Sequence, residues 1–123
     1  RTVDVGQAEG AIMQGIGWMT MEEVIYADNG RLLTDALSTY KIPDIYAAPK
    51  QIDVRFLESS DNPLGLMNSK AVGEPPFMYG IGAYFALMNA IKAYRTDATL
   101  LLKAPMSPER VLTELYEPIG ELI

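Results

Sequence analysis

The chain is organised around one stretch, Ser69-Lys70-Ala71-Val72-Gly73-Glu74-Pro75-Pro76-Phe77-Met78-Tyr79-Gly80. Proline fixes its own φ and disfavours the α region for the residue before it, so Glu74 is predicted to be extended. Pro75 and Pro76 suit the first positions of a helix, where the backbone N–H groups have no partner within the helix. The sequence therefore predicts a carboxylate held at the start of a helix.

Two physical effects oppose each other at Glu74. The helix dipole and the free amides favour the charged carboxylate, whereas burial among the neighbouring apolar side chains disfavours it. A group balanced in this way can serve as a base. The residues alone leave two interpretations open, a helix cap and a catalytic carboxylate, and capping is the commoner role.

A second helix with an unusual face is predicted near the N-terminus, from about residue 5 to residue 21. Gln7, Gly10, Gln14 and Gly17 recur along one stripe of this helix. Glycine lowers helix stability by about 1 kcal/mol relative to alanine, so this segment predicts close approach of a backbone or a ligand. The two amides could pair with the edge of a ligand or bridge to neighbouring loops, and the pattern does not decide between these roles.

The segments between these helices predict a small sheet. Residues 22–26 and 31–34 are suited to strands, and Ala27-Asp28-Asn29-Gly30 between them is a strong hairpin-turn signal. Residues 51–58 alternate as a half-buried strand does, and residues 96–105 include a short strand-like piece.

The helix after Pro76 is predicted to reach about Arg95, and a short terminal helix is predicted from Pro108 to about Tyr116. The predicted fold class is therefore α+β, as one domain over residues 1–123. In it, two long helices and a short terminal helix pack with a small, mainly antiparallel sheet.

Composition narrows the function classes. Ten Lys and Arg residues against sixteen Asp and Glu residues give a net charge of −6, which argues against nucleic acid and anionic membrane surfaces as partners. No apolar run approaches the length of a membrane span, and a cytoplasmic location is expected. The sequence has no Cys and no His, so it predicts no disulfide, zinc site or iron-sulfur site. If a metal is involved, another segment or an organic cofactor must hold it.

Three segments carry a resemblance to a known family. Ser-Lys-Ala-Val-Gly-Glu-Pro-Pro at residues 69–76 resembles the motif with the active-site glutamate in the molybdenum-containing large subunit of the xanthine dehydrogenase and aldehyde oxidase family, the molybdenum hydroxylases. Residues 6–17 and 38–43 are similar to two more segments of that subunit, in the same order and at comparable spacing. The resemblance extends from Gly6 to about Arg95.

The resemblance implies that the chain is the C-terminal portion of a much longer subunit, closest to xanthine dehydrogenase. Glu74 then matches the base that activates a molybdenum-bound hydroxide, which hydroxylates a carbon of a purine, another heteroaromatic ring or an aldehyde. Gln7 matches a contact to the pterin of the molybdenum cofactor, molybdopterin, whereas Gln14 stays unassigned. No residue of this chain is expected to ligate the metal.

The resemblance also implies partners. The remainder of the subunit encloses the cofactor, and iron-sulfur clusters and FAD are expected on other domains or subunits. The isolated fragment is expected to be inactive. Two alternatives stay open: a non-catalytic structural or subunit-interaction module, and a different enzyme that uses a lone glutamate base without a metal.

Overall fold

The computed structural model describes residues 2–97 and 102–116. Four α-helices occur in this part of the chain: α1, Thr2–Thr20; α2, Glu74–Phe77; α3, Ile81–Tyr94; and α4, Pro108–Tyr116. Two 3-10 turns span Leu66–Asn68 and Met78–Gly80. None of the helices in the described ranges is long and apolar enough to cross a membrane.

The hydrophobic core lies on the inner face of α3. Three of its buried side chains lie about one helical turn apart on α3, namely Tyr84, Met88 and Ile91. The fourth, Met106, comes from the segment before α4. The partly buried Met19 of α1 packs against them, as do Val111 and Leu115 of α4. The core therefore joins the end of α1 to α3 and α4.

Backbone hydrogen bonds fix the segment that enters α4. The amide of Met106 donates to the carbonyl oxygen of Met19 over 2.7 Å, which satisfies one of the free carbonyls at the end of α1. The Tyr84 hydroxyl accepts a hydrogen bond from the Lys103 amide over 2.9 Å. Ser107 Oγ accepts from the Arg110 amide over 3.3 Å, as expected of the N-cap in Ser107-Pro108-Glu109.

The single helix predicted from residue 76 to about residue 95 is divided. Its first part is the four-residue α2, the 3-10 turn follows, and α3 ends at Tyr94, where Arg95 turns to an extended conformation with φ −115° and ψ 93°. The 3-10 turn lies where the buried Gly80 packs against the backbone of Gly15 in α1. Contact with α1 thus coincides with the interruption.

The prediction of a sheet is wrong for the described residues, which form helices and extended segments but no β-strand. The turn at residues 27–30 forms, with Gly30 at φ +81° and its amide donating to Ala27 over 2.8 Å. Beside it lies an isolated antiparallel bridge between Tyr26 and Leu32. Residues 51–58 have no neighbouring strand within the described ranges, and residues 98–101 of the fourth candidate lie outside them.

The physical reason for this correction is backbone pairing. A strand is stabilised when its N–H and C=O groups bond to a second strand, and strand propensity alone does not supply that partner. Segments rich in Val, Ile and Tyr therefore remain extended here without forming a sheet. The described part of the chain is helical with long extended connections, rather than α+β.

Candidate functional site

A groove of about 490 Å³ lies between α1 and the start of α2. Its lining comes from two segments that are distant in sequence and is mostly small or uncharged: Gly6, Gln7, Gly10, Ala11, Gln14, Gly73, Glu74 and Phe77. The structure thus brings together both residues that the resemblance singled out, Gln7 and Glu74, and adds Gln14 to them.

The α1 wall of the groove presents two exposed amides, and the surface beside them at Gly6 and Gly10, called here the open floor, carries no side chain. Gln7 and Gln14 lie two helical turns apart, on the same face of the helix. A Cβ atom built on Gly6 or Gly10 would meet nothing within 4 Å, so larger side chains at these positions would protrude into free space. Three members of the predicted stripe, Gln7, Gly10 and Gln14, therefore line a cavity wide enough for a ligand. The fourth, Gly17, is buried against Pro43 and Glu22 outside the groove.

Glu74 forms the opposite wall, but not in the expected conformation. It is the first residue of α2 rather than extended, and Gly73 before it is also in the α region, with φ −83° and ψ −51°. It is exposed rather than buried among its apolar neighbours, and two of them, Met78 and Tyr79, are themselves 62% and 69% exposed. The predictions of an extended, buried glutamate are both wrong.

The site is chemically simple. Glu74 is the one ionisable residue that lines the groove, and within the described ranges its carboxylate has no hydrogen bond or ion pair. A hydrogen-bonded helix cap is therefore not its role in this structure. The same ranges contain no cluster of His, Cys, Asp or Glu residues that could hold a metal ion. The groove offers one proton acceptor and two amides that can each donate and accept.

The two walls are close at one point. A Cβ atom built on Gly73 would lie 3.9 Å from Oε1 of Gln7, so the amide of Gln7 faces the backbone immediately before Glu74.

Sequence reasoning did not identify Gly73 or Phe77 as lining residues. The spacing of Gly6 and Gly10, four residues apart on one helical face, was the signal that could have located the open floor.

A second polar contact lies outside the groove lining. Tyr40 in the loop after the turn donates a hydrogen bond from its hydroxyl to Oε2 of Glu22 over 2.6 Å. This hydrogen bond, together with burial and the negative charge of Glu22, raises the pKa of Tyr40 above its ordinary value. Lys41 beside it is exposed and donates to the Ser38 carbonyl over 3.1 Å. Hydrogen bonds to neighbouring residues therefore hold the side chains of Tyr40 and Lys41 in this loop.

Comparison with known proteins yields matches over nearly the whole chain. Residues 1–49 match the family model of a molybdopterin cofactor-binding domain. Xanthine dehydrogenase 2 of Arabidopsis thaliana is 42% identical over 127 aligned residues, which cover 94% of this chain and 9% of that protein. Aldehyde oxidase 2 of Rattus norvegicus is 39% identical over 125 residues, which cover 98% of this chain and 9% of that protein.

A solved structure gives the same result at the level of the fold. Quinoline 2-oxidoreductase from Pseudomonas putida 86 superposes with a TM-score of 0.77 and 34% sequence identity, over 94% of this chain and 14% of that chain. The chain spans 9% of the length of the curated relatives described above.

Proposed function

Because this chain belongs to the xanthine dehydrogenase and aldehyde oxidase family of molybdenum hydroxylases, we propose that it forms one wall of such an enzyme's active site. The reaction is hydroxylation of a carbon in a purine, another heteroaromatic ring or an aldehyde. The observation that carries the proposal is the groove, in which an exposed carboxylate on α2 faces exposed amides on α1. Residues 1–123 act in it as a single domain of the longer subunit.

The residues of the groove fit molybdopterin. The amide of Gln7 has both a donor and an acceptor, is exposed, and has no hydrogen-bond partner within the described ranges. Gly6 and Gly10 leave room beside it for a planar group. This donor set suits a cofactor that brings its own metal ligands, and when bound the cofactor supplies the redox centre at which the substrate carbon is oxidised. Gln7 would hold and orient its pterin part.

Glu74 would act as the general base. A carboxylate that accepts a proton from the oxygen nucleophile during attack makes that oxygen more reactive. Its exposure on the groove and its lack of an internal partner in the described ranges leave both carboxylate oxygens available for this role. The rigid Pro75-Pro76 pair that follows limits the backbone freedom of α2.

The decisive experiment is Glu74→Gln in the complete enzyme. Glutamine keeps the size and one acceptor oxygen but cannot take the proton, so we expect the rate of cofactor reduction by substrate, normalised to molybdenum, to fall about 100-fold to 10,000-fold. Molybdenum content and folding should stay nearly unchanged. The measurement is single-turnover reduction under anaerobic conditions.

Glu109→Gln is the matched control, because Glu109 also lies in the first turn of a helix but not in the groove. This variant should keep the wild-type rate. A Glu74→Gln rate within about threefold of wild type would remove the base assignment and favour the alternative of a non-catalytic structural module.

Gln7→Ala separates cofactor binding from chemistry. An amide that only holds the pterin contributes to occupancy and not to proton transfer, so the variant should contain less molybdenum per protein while its rate per bound molybdenum changes little. Gln51→Ala, at an exposed position outside the groove, is the control. Full occupancy combined with a collapsed rate per molybdenum would contradict the role proposed for Gln7.

The remainder of the subunit is the proposed partner for the apolar surface of the long connection between α1 and α2. Large apolar side chains that are each at least 78% exposed recur along it: Leu37, Ile45, Tyr46, Leu57, Leu64, Leu66 and Met67. Monomeric soluble proteins rarely leave so many such residues uncovered in one region. Iron-sulfur and flavin domains of the complete enzyme would accept the electrons from the cofactor. The proposal also includes the cytoplasmic location expected from the sequence.

A further inference from the structure

The contact between α1 and the 3-10 turn is made by two glycines, Gly15 and Gly80, which are both buried. A Cβ atom built on Gly15 would overlap the carbonyl oxygen of Phe77 and lie 3.2 Å from the Cα of Gly80. A Cβ atom built on Gly80 would overlap the carbonyl group of Gly15. The opposing atoms belong to the backbone and cannot rotate away, so this spacing requires glycine on both sides.

This contact ends at a residue that lines the groove. Phe77 lies one helical turn after Glu74 and belongs to the same short helix, α2. Gln7 lies on the same helix as Gly15, roughly 12 Å away along the axis at 1.5 Å per residue. A change in the separation of Gly15 and Phe77 therefore moves Glu74 relative to Gln7 without altering either side chain.

A ring contact holds the same residue from another direction. The rings of Trp18 and Phe77 pack with their centroids 5.1 Å apart and their planes tilted by 49°. Trp18 follows Gly15 by one helical turn and is 51% exposed, so it covers Phe77 at the surface while Gly15 contacts its backbone from within. Phe77 is thus fixed by α1 at both its carbonyl group and its ring.

We propose that Gly15 and Gly80 are positioning residues, which set the distance of the Glu74 carboxylate from the ligand held along α1. This inference rests on the proposed role of Glu74 as base. A general base must lie within hydrogen-bond reach of the proton it takes, and a misplacement of about 1 Å can lower a rate about 100-fold. Contact between two glycine backbones allows less variation in the distance between the helices than contact between flexible side chains would.

The test is a double-mutant cycle in the complete enzyme, with Gly15→Ala made alone and together with Glu74→Gln. Alone, Gly15→Ala should lower the single-turnover reduction rate per molybdenum about tenfold to 100-fold with molybdenum content retained. In the Glu74→Gln background the same change should cost less than about threefold, because the base through which it acts is already lost. Gly82→Ala is the matched control, since a Cβ atom at Gly82 meets nothing within 4 Å.

Equal losses in the two backgrounds would overturn the inference, since general damage to the fold does not depend on Glu74. A wild-type rate for folded Gly15→Ala would also overturn it. If Glu74→Gln alone stays within threefold of wild type, the proposed function itself fails, and that result is obtained independently of any glycine variant.

Trp18→Leu provides a gentler probe if Gly15→Ala does not fold. Loss of a half-exposed ring introduces no backbone clash, and it should lower the rate about threefold to tenfold only when Glu74 is present. An unchanged rate, or the same loss with and without Glu74, would overturn the inference.

Discussion

Two regions of this chain differ in how far contacts within the chain cover their large apolar side chains. In the helical region, α1, α2 and α3 pack on one another through Gly15, Gly80 and the core around Ile91. The connecting region, residues 21–73, has turns and single hydrogen bonds but leaves most of its large apolar side chains exposed. A helix carries its hydrogen bonds within itself, whereas an extended segment needs a neighbour. The difference supports the proposal that the connecting region contacts other parts of a longer subunit.

The largest expected effect concerns the whole chain. The purified 123-residue chain should bind no stoichiometric molybdenum and catalyse no turnover. Under the proposed function its groove supplies only one wall of the active site, and the connecting region lacks its proposed contacts. Buried polar groups of a cofactor that are left without partners cost on the order of 1 to 3 kcal/mol each. Elemental analysis of the purified chain is the measurement. One molybdenum per chain would mean that these residues complete the site by themselves.

The next prediction compares one side chain from each region. Ile91 is 2% exposed and Leu64 is 98% exposed. In the 123-residue chain, Ile91→Ala should lower the free energy of unfolding by about 2 to 5 kcal/mol, and Leu64→Ala by less than about 0.5 kcal/mol. Urea unfolding followed by the fluorescence of Trp18, the chain's one tryptophan, measures both. Equal losses would show that the side chains of the connecting region are already packed, and the two regions would then not differ in packing.

Tyr40→Phe tests a side-chain hydrogen bond inside the connecting region, the one from Tyr40 to Glu22. It removes the hydrogen bond to Glu22, so the free energy of unfolding should fall by about 1 kcal/mol or less at neutral pH. The hydrogen bond raises the pKa of Tyr40 in the folded chain above its ordinary value of 10.0. The stabilisation is therefore fully present below about pH 10 and is lost as the pH rises through the folded pKa.

The pH dependence supplies its own control. Wild type and Tyr40→Phe should differ by a constant amount from neutral pH up to about pH 9 and converge at higher pH. Denaturant titrations at several pH values check this. A difference that grows above pH 10 would contradict the assigned direction of the pKa shift.

Two glycine substitutions, each with an effect of about 1 kcal/mol or less, should have opposite signs in the two regions. Gly30 in the connecting region has φ +81°, which an alanine adopts only with strain, so Gly30→Ala should destabilise the chain by about 1 kcal/mol. Gly82 lies within α3 with open space around it, so Gly82→Ala should stabilise it by about 0.5 to 1 kcal/mol. Thermal unfolding of both variants tests the pair. The same sign for both would mean that local backbone preference does not govern either site.

Two helices could be predicted closely from the sequence, whereas the one predicted from residue 76 to about residue 95 is divided into α2, a 3-10 turn and α3. The prediction of residues 5–21 corresponds to α1, Thr2–Thr20, and that of residues 108–116 coincides with α4, Pro108–Tyr116. Helices and their caps depend on hydrogen bonds between residues a few positions apart, so a single sequence contains most of what they need. The turn at residues 27–30 formed as predicted for the same reason. The sheet did not, because strand pairing depends on segments that are distant in the chain or in other parts of a protein.

In the candidate site, too, some features follow from the local sequence and others from the packing of distant segments. The sequence by itself determined which chemistry is available, since Glu74 and Gln7 and the glycines around them are fixed by their order in the chain. Only the tertiary structure decided that Glu74 is exposed in a groove rather than buried, and that Gly73 faces the amide of Gln7. Burial and proximity depend on how α1 packs against α2. In that packing the backbone of Gly15 lies against Phe77 and Gly80, which are far from it in the sequence.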